Sequence, residues 1–208
     1  MNKQYLITQS LLSSWNYMFD CFDGCEESAK EEFINTLRRI PKETTPEMQN
    51  GIDFENEVYK VTHGVQRNPH PKWESGIQAV AKEIMYAPNQ IKISREMSSV
   101  CGMDLLIYGI LDSLKCGTIY DVKFSNKSFG STEVYGKYLN SPQHATYFYL
   151  VPEADTFKYL LSDGNDLYTE TYTRANTKPL EELLYNFFDS LSDMGLMDVY
   201  KEHWVSKG

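Results

Sequence analysis

The chain has 208 residues, enough for one domain with a substantial core and short for two. Hydrophobic residues make up 41% and aromatic residues 13%, which excludes an intrinsically disordered chain. The formal net charge of -9, from 20 basic and 29 acidic residues, argues against a protein that coats nucleic acid through a broad basic surface. It leaves room for a nucleic-acid enzyme, because a carboxylate cluster that binds metal is itself acidic. No apolar run approaches the roughly 18 residues of a membrane span. The segment Met1-Asn2-Lys3-Gln4-Tyr5 leads into no signal-peptide core, so a cytoplasmic protein with no membrane partner is expected.

From Thr8 or Ser10 to about Phe22 the chain reads as a helix with Ser10 as N-cap. Leu11, Leu12, Trp15, Met18, Phe19 and Phe22 supply its apolar face. A second helix runs from Ala29 to Ile40 and stops at Pro41, and Lys42 to Glu47 is a polar loop. A third, about Gln49 to Thr62, carries Ile52, Phe54, Val58, Tyr59 and Val61. A fourth spans Trp73 to Met85. After Pro88 the pattern turns to strands, over Ile91 to Met97, Met103 to Leu111 and Thr118 to Phe124. A helix over Ser141 to Val151 follows. Thr156 to Ser162 and Leu167 to Thr173 then form a hairpin turning at Asp163-Gly164-Asn165, and a helix over Pro179 to Met194 ends the pattern. The expectation is a single α/β domain over 1–208, with its chemistry-bearing core at about 47–175 and a C-terminal helix at about 179–194.

The densest chemistry lies in Gly109-Ile110-Leu111-Asp112 and Asp121-Val122-Lys123, two strands joined by a turn at Lys115-Cys116-Gly117. Residues two apart on a strand share a face, so Asp121 and Lys123 point the same way with Val122 buried behind them. Two carboxylates and an ammonium at one edge suit a hard divalent ion and a phosphate or water beside it. A solvated surface hairpin accounts for the same spacing. Cys21, Cys25, Cys101 and Cys116 lack zinc-knuckle spacing and are expected to be reduced, partly buried thiols.

Two other segments accompany the hairpin. Gly51-Ile52-Asp53-Phe54-Glu55 places Glu55 on the third helix just after a core-facing Phe54, with Glu57 as its substitute and Asp53 facing water. Gln143-His144-Ala145-Thr146-Tyr147 puts Gln143 and Tyr147 on one helix face, His144 being packed or solvated. Asp104 is set aside, and no role is assigned to His63, His70 or His203.

A helical Gly-x-x-Phe-Glu, a GxxD strand, a DxK strand and a QhxxY helix, in that order, resemble the RecB-type branch of the PD-(D/E)XK nuclease superfamily, which holds phage and recombination exonucleases. The resemblance covers about Ser10 to Val151. It implies a restriction-endonuclease-like core with a mixed central sheet flanked by helices and a helical N-terminal portion. It implies a metal-dependent deoxyribonuclease acting on single-stranded DNA or duplex ends, with a recombination protein as a possible partner, and leaves the oligomeric state open. Asp112, Asp121 and the Val122 backbone carbonyl would hold magnesium or manganese. Lys123 would place the attacking water, and Glu55 would stand where many relatives carry histidine. Gln143 and Tyr147 would contact substrate or brace the site. No cysteine follows Cys116, so the iron–sulfur cluster of some relatives is not expected. For substrate contact the loop Ser125 to Ser131 is a candidate through Lys127 and Phe129, joined by Lys137 and Tyr138. The alternative function is a catalytically silent module that keeps the fold to bind nucleic acid or protein.

Overall fold

The computed structural model describes residues 3–21, 24–129 and 135–206. Phe22, Gly130 and Ser131, which figure in the expectations above, lie outside them. The described residues form strand β1 (Gln4–Thr8), helices α1 (Gln9–Asp20), α2 (Glu26–Leu37), α3 (Pro46–Thr62) and α4 (Glu74–Ile84), then strands β2 (Asn89–Val100), β3 (Met103–Lys115) and β4 (Thr118–Phe124). Helix α5 (Pro142–Leu150), strands β5 (Thr156–Ser162) and β6 (Leu167–Thr173), and helices α6 (Leu180–Asp193) and α7 (Met197–His203) complete them.

The six strands make one mixed sheet in the order β1-β3-β4-β5-β6, with β2 on β3. β1–β3 and β4–β5 are parallel pairs, and the rest are antiparallel. Helices lie on both faces because each face is apolar. One carries the larger cluster, built from Leu105, Ile107, Leu111, Ile119 and Phe157 against Leu11, Trp15, Phe33, Phe148, Leu184 and Phe187. The other packs Phe54 and Val58 of α3 and Ile77, Val80, Ala81 and Ile84 of α4 onto Tyr120, Val122 and Leu160. Adjacent β4 residues thus feed opposite clusters, as the period of two requires. The fold is α/β with a mixed sheet flanked by helices, compatible with a restriction-endonuclease-like core.

Several boundaries differ from the sequence expectations. β1 was not expected. Its five residues run straight into α1, so no turn signal separates them, and Thr8 rather than Ser10 caps the helix by accepting the Leu11 N–H at 3.2 Å. Phe19 is 62% exposed instead of joining the core, and Ile52 is likewise exposed at 46%. Helix α3 starts at Pro46, because Thr45 caps it and proline fits a first turn. Helix α2 begins at Glu26 and ends at Leu37, ahead of Ile40. α7 was also unforeseen. β3 continues past Asp112 to Lys115, and only Cys116 (φ +48°) and Gly117 (φ +75°) make the turn. Two consecutive positive φ angles match the twist of a two-residue hairpin. Cys101 and Cys116 are therefore exposed in turns rather than partly buried; Cys21 and Cys25 are partly buried, and all four are free thiols.

Candidate active site

β3 has two edges, and their occupancy defines the site. β2 covers one edge, reaching Ser94↔Tyr108 and Asn89↔Ser113. On the other edge β1 pairs with Asp104 to Tyr108, and β4 pairs only with Ser113 to Lys115. Gly109, Ile110, Leu111 and Asp112, the whole GxxD stretch, fall in the gap between β1 and β4. Backbone groups there lack a strand partner and are met by side chains, as buried polar groups must be. Tyr147 donates its hydroxyl to the Ile110 carbonyl at 2.6 Å, and the Asp112 carboxylate (Oδ2) accepts the Val122 N–H at 2.8 Å.

A cleft of about 360 Å³ opens at this gap, lined by Thr8, Gln9 and Ser10, by Tyr108 to Ile110 and by Glu55, Asp112, Asp121, Val122, Lys123, Gln143 and Tyr147. The carboxylates, lysine, glutamine and tyrosine of the motifs are all among them, whereas the substrate-loop candidates Lys127, Phe129, Lys137 and Tyr138 are not; Lys127 lies exposed in the loop after β4 and bonds there through its backbone to Ser125. Glu57 faces elsewhere, toward Lys60 and Arg67. Asp104 sits beside Gln4 in the β1 pairing, outside the cleft lining. Tyr138 stacks on Tyr159 (4.2 Å between centroids, 17°), and burial pushes its hydroxyl pKa up to about 12, so it is packed rather than a free surface ring. Lys137 stands 5.8 Å over that ring. His144 is buried against Tyr172, and desolvation lowers its pKa to about 4.

α5 supplies two braces. Ser141 caps it and Pro142 opens its first turn, and the helix is buried almost all round. Gln143 donates its amide to Asp121 Oδ1, and Tyr147 reaches over β3. Gly109 permits that reach, since a Cβ there would come within 2.5 Å of Tyr147 Cε1.

The charges are out of balance. Asp121 is 2% exposed, and its Oδ2 lies 2.6 Å from Lys123 Nζ, a contact of charges without hydrogen-bond geometry. Desolvation raises the carboxyl pKa of Asp112 well above the ordinary value, with Asp121 and Glu55 adding repulsion. Burial also raises Glu55 and Asp121, the latter against the pull of Lys123. Burial alone would lower the Lys123 ammonium, but Asp121 and Asp112 raise it, so it stays charged. Fully ionised, three carboxylates meet one ammonium.

Two further residues bond into this cluster and were not singled out from the sequence. Tyr59 donates to Glu55 Oε1 at 2.5 Å, and Gln90 donates to the same oxygen at 2.7 Å. Gln90 sits 35 positions from Glu55, so no local pattern could have joined them.

The oxygen donors are of the type that a hard divalent cation takes. Among the described residues no three histidine, cysteine or carboxylate side chains converge closely enough to enclose an ion alone. The reason is visible: Asp121 is turned to Gln143 and Lys123, Asp112 Oδ2 to Val122, and Glu55 Oε1 to Tyr59 and Gln90. Asp112 Oδ1 and Glu55 Oε2 keep no protein donor among the described residues. Magnesium usually takes one or two carboxylates and retains several waters, so that remainder fits it.

No protein-family model matches the chain, and no curated protein matches it. Among solved structures it is similar to the crystal structure of SSO0001, with a TM-score of 0.50 and 14% identity over 93% of this chain and 78% of that one. The Rai1 structure of Scheffersomyces stipitis matches with a TM-score of 0.36 and 12% identity, over 93% and 62% of the two chains. The first of these likenesses is one of fold, an α/β architecture with a mixed central sheet between helices.

Proposed function

We propose that this chain is a divalent-metal-dependent nuclease of the RecB-type PD-(D/E)XK kind, hydrolysing phosphodiester bonds in DNA. The observation that carries the reading is the meeting of Glu55, Asp112, Asp121, Lys123, Gln143 and Tyr147, drawn from four elements, in one cleft at the unpaired edge of β3. Asp112, Asp121 and the Val122 carbonyl, with Glu55 at the rim, would hold magnesium or manganese. That ion supplies a lowered pKa for an attacking water and offsets charge on the scissile phosphate. Lys123, its side chain 32% exposed and its ammonium positively charged, donates a hydrogen bond to the water or a phosphate oxygen. Gln143 fixes the orientation of Asp121, and Tyr147 fixes the edge of β3 from which Asp112 projects. Lys127, Phe129 and Lys137 border the β4–α5 connection, where they can meet the phosphates and bases of a DNA strand.

The test is cleavage of labelled linear and circular DNA, single- and double-stranded, with magnesium, manganese or EDTA. We expect cleavage only with metal, and a loss of at least about 100-fold in Asp121→Ala and Lys123→Ala, the scale on which removed transition-state electrostatics are felt. Cleavage that survives either substitution, or that proceeds in EDTA, would sink the proposal. A second reading, a catalytically silent binding module, draws on the closure of Lys123 onto Asp121. It predicts DNA binding with no cleavage under any metal.

A further inference from the structure

Gln90 occupies a place in the sheet that its backbone resists. It lies between the pairs Asn89↔Ser113 and Ile91↔Leu111, which sets it across from Asp112 on the β2 side. Its φ is +53°, the left-handed region that costs a side chain more than a glycine. Backbone strain of this kind persists where surrounding contacts over-determine it, often at functional sites.

Those contacts all lead to the cleft. The Gln90 amide (Nε2) donates to Glu55 Oε1 at 2.7 Å and to the Tyr59 hydroxyl at 3.0 Å. The Tyr59 hydroxyl spends its single proton on the same Glu55 oxygen at 2.5 Å, and lies 3.4 Å from the Asp112 carbonyl. One carboxylate oxygen thus receives two donors that also bond each other. Rotation of the Glu55 carboxylate would strain both bonds, so the two donors fix the plane of a carboxylate that lines the cleft.

We infer that Gln90 is a positioning residue which, with Tyr59, holds Glu55 in the orientation that serves the cation and its water. The inference rests on the proposed role of Glu55. Partners of this kind, one step removed from a metal ligand, typically change metal affinity or activity by about 10- to 100-fold when removed.

The experiment compares the whole chain with Gln90→Gly, which loses the amide while suiting the positive φ, and with Tyr59→Phe, which keeps the ring. Manganese binding is measured by calorimetry, cleavage by kcat and KM, and folding by thermal unfolding. We expect each variant to bind manganese about 10-fold more weakly and to lose kcat with KM for DNA held. The double variant should be no worse than about the poorer single one, because both act on one oxygen. Manganese affinity and kcat within twofold of the parent in Gln90→Gly would overturn the inference while leaving the nuclease reading intact. Failure of that reading has a different signature: the parent protein itself would take up no manganese, and both would fall.

Discussion

Helix α3 sends two glutamates, two residues apart, into charge clusters of opposite design. Glu57 joins Lys60 and Arg67, and Arg67 also grips Glu74 through two bonds of 2.9 Å. Glu74 further accepts the His70 N–H and the Gln78 amide at 2.8 Å each, so two carboxylates face two cations and every oxygen is served. Its carboxyl pKa is held down to about 2, foremost by the Arg67 hydrogen bonds. Glu55, by contrast, enters a buried cluster with Asp112 and Asp121 that Lys123 alone opposes among the described residues, and there the carboxyl pKa values rise. The first arrangement braces the loop between α3 and α4. The second stores unfavourable charge, and perturbed carboxyl groups of this kind cluster at functional sites. Composition does not tell the two apart; the count of cations within reach does.

The contrast breaks most readily at Arg67. Its side chain is 11% exposed, so Arg67→Met would strand Glu57 and Glu74 without their shared partner. We expect a loss of about 2–3 kcal/mol, read in urea unfolding and as a fall in Tm of several degrees. A loss below about 0.5 kcal/mol would show that the cluster is ornamental.

Acid should move the two clusters in opposite directions. The pKa of Glu74 is depressed in the fold, so its contribution is present above the ordinary value of 4.5 and is lost as pH falls toward about 2. That contribution is on the order of 1 kcal/mol, since the group is partly exposed and solvent screens its pairing. Arg67→Met should flatten this part of the stability profile. Asp112 has the reverse sign. Its raised pKa makes its charge a burden at neutral pH, relieved as the carboxyl takes up a proton above the ordinary 3.8. Unfolding free energies of parent and variant from pH 7 down to 2 would expose both trends.

The smallest effect sharpens the contrast. Asp112→Asn keeps an acceptor for the Val122 N–H and removes one like charge, so it should stabilise the protein by about 1 kcal/mol. The same change would remove cleavage if the nuclease proposal holds. A destabilised Asp112→Asn would mean that the charge itself is needed for folding.

Much of this was legible in the chain. The α/β order, the hairpin at Asp163-Gly164-Asn165, the shared face of Asp121 and Lys123 and the pairing of Gln143 with Tyr147 on one buried helix face all follow from local periodicity. Glu55 was preferred to Glu57 through its place in the Gly-x-x-Phe-Glu stretch, and the structure puts Glu55 in the cleft lining and turns Glu57 to Lys60 and Arg67. Harder to see was β1, too short and too close to α1 to leave a turn signal. The role of the C-terminal tail was equally hidden: Leu6 donates to the Trp204 carbonyl at 2.7 Å and Ser206 to that of Gln4 at 2.8 Å, across nearly the whole chain. Among the described residues no helix is long and apolar enough to cross a membrane, in line with the composition.

By itself the sequence determined which way each side chain points along its own element, because the periods of 2 and 3.6 are properties of neighbouring residues. Tertiary structure alone decided where the strands stop pairing. β1 and β4 share one edge of β3 and leave Gly109 to Asp112 open between them; Tyr147 meets the Ile110 carbonyl there, and Tyr59 and Gln90 bond Glu55. Edge occupancy is a competition among distant segments for one row of backbone groups, so no local pattern encodes it.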